Sequence, residues 1–168
     1  MVLKFMGSFT QQEPIPEAAI EAAIAVMRHG RLHRYNVALG EIAETVLLEQ
    51  EFAQSCGAKY CLAVASGGYA LSTALRSCGL KHGDVVLTNA FTLAPVPGSI
   101  QGAGGQPVFV EITKDLVLDL DDLQLKIQST KAKFLMLSHM RGHLVDMDAL
   151  IKITDKAGVQ VIEDCAHT

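Results

Sequence analysis

Apolar and polar positions along the 168-residue chain follow two different rhythms. Over residues 1–58 the pattern is helical. The alanine-rich stretch "IPEAAIEAAIAVMRHG" begins after prolines and stops at Gly30, which predicts a helix. "GEIAETVLLEQEFAQSCG" predicts a second, running to Gly57 with Leu48 and Phe52 four apart. The polar "RLHRYNVAL" between them reads as a loop.

From residue 59 to 168 short apolar runs alternate with helical patterns. The runs "YCLAVA", "DVVLTN", "PVFVEI", "KFLMLSH" and "VQVIED" predict strands. Between the first two, "YALSTALRSCG" places Ala70, Leu71, Ala74, Leu75 and Cys78 on one helical face. Thr92 to Ile100 predicts a helix disturbed by Pro95 and Pro97. Asp119 is placed to cap a helix carrying Leu120, Leu123 and Ile127, and Asp146 to cap "MDALIKITDKA", closed by Gly158. Strands that are apolar throughout suit a sheet covered on both faces, and strand–helix alternation implies parallel pairing. The expected fold is α/β, a three-layer α/β/α sandwich with a mostly parallel sheet.

Composition narrows the function. Apolar residues make up 49% and mean hydropathy is +0.27, rich enough to imply surface meant for a partner or for more of the same fold. No run reaches the roughly 20 apolar residues of a bilayer span. The opening "MVLKFMGSF" lacks an export signal's apolar core, so a cytoplasmic setting is expected. Net charge is −4 with no basic stripe, which argues against nucleic acid. Cys56, Cys61, Cys78 and Cys165 lack metal-knuckle spacing and read as reduced thiols. His139, His143, Asp164 and His167 have no metal-ligand spacing either.

In a parallel sheet, ligands gather beyond the carboxyl ends of the strands. Three polar clusters fall there: Ser66-Gly67-Gly68, Asn89 to Thr92, and Asp164 to His167. Small residues opening a helix leave backbone N–H groups for a phosphate, although a ligand-free tight turn has the same composition. No Gly-Lys-Ser/Thr follows, which excludes a P-loop. The "GAGG" at 102–105 precedes a strand instead of opening a helix, so it is no dinucleotide fingerprint. Glu163 and Asp164 point to opposite faces. A carboxylate at the end of a buried strand needs a cation or donors; Asp164 suits either a protonated pyridine ring or the cap of the next turn. His167 could donate to a ligand oxygen, and His139 could support the same edge.

These segments, with "SGGYALSTAL", "GDVVLTNAFTLAPVPGSI", "GGQPVFVEI", "LDLDDL", "SHMRGHLVDMDAL" and "VIEDCAHT" in order, resemble the DegT/DnrJ/StrS-type sugar-nucleotide aminotransferases from about Arg34 to Thr168. These are pyridoxal-phosphate enzymes of fold type I. The resemblance implies that Ser66, Gly67 and Gly68 cradle the cofactor phosphate, with Gly68 where relatives usually carry threonine. It implies that Asp164 meets the pyridine nitrogen and His167 the phenolic oxygen. Leu93 stands where relatives place an aromatic ring over the pyridine face, with Phe91 two residues earlier. In the family, the lysine that forms a Schiff base with the cofactor comes beyond the position of Thr168, as does a small second domain. The resemblance therefore implies the amino-terminal, cofactor-binding part of a homodimeric enzyme that moves an amino group, typically from glutamate, onto a keto-sugar nucleotide. The part alone is expected to be inactive. Two alternatives share the scaffold: a sugar dehydratase with histidine for the lysine, and a non-catalytic binding module.

Overall fold

The computed structural model describes residues 6–8, 12–35 and 37–168. Most of the opening "MVLKFMGSF", Lys4 and loop residue Asn36 lie outside these. The chain divides into two compact units, Met1–Ala63 and Val64–Thr168.

The first unit holds α1 (Glu17–His29) and α2 (Glu44–Cys56). α1 follows Pro16 and ends on Gly30 at φ 72°, a left-handed position that glycine adopts without strain. α2 starts four residues later than its pattern, because Gly40 sits at φ 85° and Ala43 is extended. Its buried residue is an acid: Glu49 pairs with Arg34 and accepts the Ala63 amide at 2.8 Å. Leu48 and Phe52 are exposed.

That amide bond corrects one expectation. The run "YCLAVA" forms no strand; Ala63 is held by a side chain, and Tyr60 and Leu62 are exposed. An apolar run becomes a strand only where a neighbour supplies a ladder.

The second unit is an α/β sandwich. Its elements run α3 (Gly67–Ser77), β1 (Val85–Asn89), α4 (Pro95–Ala103), β2 (Gln106–Val110), α5 (Leu120–Thr130), β3 (Phe134–Ser138), α6 (Met147–Ala157) and β4 (Gln160–Asp164). All four strands are parallel, in the order β2-β1-β3-β4. Alternate residues feed two cores. Leu87, Val110, Leu135 and Leu137 pack with Leu123 of α5 and Leu150 of α6. Val86, Phe134 and Met136 pack with Leu75 of α3 and Val96 and Ile100 of α4. The sheet is thus covered on both faces, as its apolar strands require.

Pro95 and Pro97 do not disturb α4; they begin it. A first helical turn has no use for their missing N–H groups, so the helix starts at the prolines. "GAGG" is structural. Gly104 closes α4 at φ 101°, and a Cβ on Gly105 would lie 3.2 Å from Ile100 and Val86 and 3.3 Å from the Asp84 carbonyl. Asp119 and Asp146 cap α5 and α6 as their spacing predicts, each accepting first-turn amides.

From β1 the chain turns to β2 on one side through α4. It then crosses back to β3 on the other side through α5. The strand order reverses between β1 and β3, and the carboxyl ends there are where such sheets leave a crevice.

Candidate functional site

At this switch point the sheet's own ladder gives out. The β1–β3 register ends at Thr88 opposite Met136. Beyond it, the Asn89 side chain takes over: Oδ1 accepts the Ser138 amide at 2.9 Å, and Nδ2 donates to the Ser138 carbonyl at 3.2 Å and the Phe91 carbonyl at 2.6 Å. Both residues are buried. The splayed strand ends are therefore fixed by an amide side chain.

Asp164 closes β4 opposite Ser138. Ile162, two residues earlier, packs into the core under α3 and α4, and Val161 into the core under α5 and α6. Strand alternation therefore puts Asp164 on the α3/α4 face and Glu163 on the other. Asp164 Oδ2 accepts from Ser138 Oγ at 2.8 Å, and Ser138 Oγ accepts from Thr92 Oγ1 at 2.8 Å. The other oxygen, Oδ1, accepts the Ala166 amide at 3.3 Å. Of the two alternatives left open by the sequence, the turn is the one the structure shows: Asp164 braces the residues that follow it, and a carboxylate, with about four lone-pair sites, keeps acceptor capacity beyond these bonds.

His167 is held by its backbone-side nitrogen. Nδ1 accepts the Arg141 amide at 3.2 Å, which leaves Nε2 to carry the proton of the neutral ring. Leu93, Asp164 and His167 line one shallow depression with Ser138 and His139. Its volume is about 10 Å³, room for a single water, so it is a floor rather than an enclosed pocket. A larger hollow of about 410 Å³ lies between α5 and α6, lined by residues such as Gln124 and Lys152. Those helices cover the face away from Asp164.

Ser66, Gly67 and Gly68 stand at the start of α3 and do not line that depression. Ser66 caps the helix, its Oγ accepting the Tyr69 amide at 3.2 Å and its carbonyl the Ala70 amide at 3.0 Å. The Gly67 and Gly68 amides are what remains at the helix end. A Cβ on Gly67 would meet nothing within 4 Å, and one on Gly68 only Ser99 Oγ at 3.5 Å. Neither glycine is needed by the fold for space, which fits a turn kept open for a ligand. Ser72 Oγ bridges the Gly68 and Ser99 carbonyls at 3.1 Å each, tying the start of α3 to α4, whose first turn follows Leu93.

His139 has another duty. Its Nε2 meets Glu163 Oε2 at 2.8 Å, with Cys165 Sγ nearby; all three ligand atoms lie within 4.8 Å. An ordinary imidazole–carboxylate hydrogen bond accounts for the His139–Glu163 pair. Asn89 to Thr92 stands out in the sequence as a polar strand end, whereas Ser138 does not, because its role depends on partners 26 and 46 positions away.

A strand-end acid, an imidazole with a free N–H, an aliphatic floor and an open helix N-terminus form the setting. Against it, the family model of the DegT/DnrJ/EryC1/StrS aminotransferases matches residues 15–168. The chain belongs to that family. A dTDP-3-amino-3,4,6-trideoxy-alpha-D-glucose transaminase of Micromonospora megalomicea is 34% identical over 130 residues, 77% of this chain and 34% of the relative. A UDP-2-acetamido-2-deoxy-3-oxo-D-glucuronate aminotransferase of Pseudomonas aeruginosa is 31% identical over 168 residues, 99% of this chain and 45% of that protein. Among solved structures, DesV of S. venezuelae in complex with a ketimine intermediate superposes with a TM-score of 0.75 at 32% identity, covering 89% of this chain and 39% of that one. The chain thus spans between a third and a half of these relatives' length. The fold is the pyridoxal-phosphate transferase fold type I, and the family's cofactor is pyridoxal phosphate.

Proposed function

We propose that this chain forms the cofactor-binding part of an aminotransferase that moves an amino group, from glutamate, onto a keto-sugar nucleotide. The observation that carries the reading is Asp164, held at the switch point on the α3/α4 face beside Leu93 and His167. The residues present fit the cofactor. Asp164 would face the ring nitrogen, the Gly67 and Gly68 amides the phosphate, and Leu93 the ring face. His167 Nε2–H would donate to the phenolic oxygen.

When bound, pyridoxal phosphate supplies an electron-poor ring that accepts the amino group and withdraws electrons from the carbon beside it. The chain's own residues would hold that ring. The Asp164 carboxylate would keep a proton on the ring nitrogen through a charge-assisted hydrogen bond. The α3 N-terminus, with its amides and dipole, would hold the dianionic phosphate. Leu93 would exclude water from one ring face, without the stacking that an aromatic residue would add. Among the described residues no lysine lines the depression, so this stretch alone is expected to turn over nothing. The helical segment expected over 1–58 and the cofactor-binding unit expected over 59–168, whose compact part begins at Val64, are read as belonging to a cytoplasmic homodimer. Exposed Leu48, Phe52 and Met27 are apolar surface that fits such association.

The test mixes the purified chain with pyridoxal phosphate and glutamate and follows pyridoxamine phosphate. The reading expects no stoichiometric product above the free-cofactor background, and amination of a keto-sugar nucleotide once the chain is part of a whole family subunit. Stoichiometric product from the chain alone, or a whole subunit that ignores glutamate, would contradict it.

A further inference from the structure

Between Leu93 and Asp164 runs a chain of two hydroxyls. Thr92 Oγ1 donates to Ser138 Oγ and Ser138 Oγ donates to Asp164 Oδ2, each at 2.8 Å. The carboxylate can only accept, so the single Ser138 proton points at Asp164. Thr92 fills one of the two lone pairs on Ser138 Oγ and so favours that direction. Ser138 is 5% exposed and its base cannot drift, because Asn89 grips both its N–H and its carbonyl. The terminal torsion of an aspartate is soft, so an unbraced Asp164 would sample a broad range of carboxylate planes. With Ser138 on Oδ2 and the Ala166 amide on Oδ1, one plane is held.

We infer that Ser138, set by Thr92, is a positioning residue that aims the Asp164 carboxylate at the cofactor's ring nitrogen. The inference rests on the reading of Asp164 given above. Its physical content is that a charge-assisted hydrogen bond to a ring nitrogen demands near-linear geometry, and a misaimed acceptor loses much of it. The same relay ends one residue before Leu93, so a single network registers both the group at the ring edge and the group at the ring face. Ser138 lines the depression with its hydroxyl committed to Asp164, and Thr92 stands behind it, so both act through Asp164 and Leu93.

The experiment uses the purified 168-residue chain and pyridoxamine 5′-phosphate carrying ¹⁵N in the ring. It compares the wild type with Ser138→Ala, Ser138→Thr, Thr92→Val and Asp164→Asn. Affinity comes from titration, and the protonation of the ring nitrogen from its ¹⁵N shift at pH 8. Ser138→Ala is expected to bind about tenfold more weakly, with the shift displaced toward the unprotonated ring. Ser138→Thr, which keeps the hydroxyl, restores both toward wild type; a merely structural serine would not move the ring signal. Thr92→Val moves both in the same direction by less, and carries the test if Ser138→Ala fails to fold. A Ser138→Ala chain equal to wild type, while Asp164→Asn loses binding and shift, overturns this inference alone. Equal impairment by Ala and Thr at 138 also overturns it, because the hydroxyl is then not responsible. An Asp164→Asn chain equal to wild type, or no binding by the wild type, overturns the underlying reading and the inference with it.

Discussion

Thr88 and Asn89 are neighbours on β1, both polar and both buried, at 0% and 3% exposure. They should respond to mutation with opposite signs. Asn89 makes three side-chain hydrogen bonds, to the Ser138 amide, the Ser138 carbonyl and the Phe91 carbonyl. Asn89→Ala leaves those groups without a partner where the β1–β3 ladder has already ended. An unsatisfied buried group costs about 1–3 kcal/mol. Because Phe91 is only half buried and can find water, the expected loss is about 3–4 kcal/mol rather than the full sum. Thr88 Oγ1, in contrast, has no hydrogen-bond partner among the described residues. Thr88→Val keeps the shape and removes a buried hydroxyl that nothing satisfies, so it should stabilise by about 1 kcal/mol. Urea unfolding followed by circular dichroism reads both, with unchanged slopes confirming that only stability moved. The reasoning fails if Thr88→Val loses 1 kcal/mol or more, or if Asn89→Ala loses less than about 1.

Three further outcomes follow from local packing and charge. Gly105→Ala should cost about 1–3 kcal/mol, since its Cβ would press on two core methyls and the Asp84 carbonyl; Gly67→Ala, with open space around it, should leave the unfolding midpoint nearly unchanged. Asp119→Ala should cost about 1 kcal/mol in the same assay, because it removes the acceptor for the Asp121 and Asp122 amides. Burial pushes the Cys78 thiol above its ordinary range, so at pH 8 it holds less thiolate and should react with iodoacetamide more slowly than exposed Cys56 and Cys165. The proton is bound more tightly in the fold than in the open chain. That contribution is therefore present below the ordinary thiol range and is lost as pH rises beyond it through the raised value of the folded thiol, which alkaline unfolding of Cys78→Ala would check.

The strands β1 to β4 and the helices between them were legible because burial on both faces writes itself as apolar runs, and Asp119 and Asp146 announce their helices by type and position. Local signals failed where the outcome depended on something elsewhere. "YCLAVA" has strand composition, but Ala63 gives its amide to Glu49, fourteen residues back. Pro95 and Pro97 read as breakers until α4 is seen to begin with them. At the site, Asp164, His167 and Leu93 could be named from order and likeness. The Thr92–Ser138–Asp164 chain could not, because hydrogen bonds across 26 and 46 positions leave no periodic trace.

The central claim is that the carboxylate ending β4 and the amides opening α3 hold the two ends of one ligand. A crystal structure of the chain with pyridoxamine 5′-phosphate tests it most directly. The account predicts the ring nitrogen within about 3 Å of Asp164, with the phosphate on the Gly67 and Gly68 amides. A ring whose nitrogen faces solvent, or a phosphate seated away from the start of α3, would contradict it.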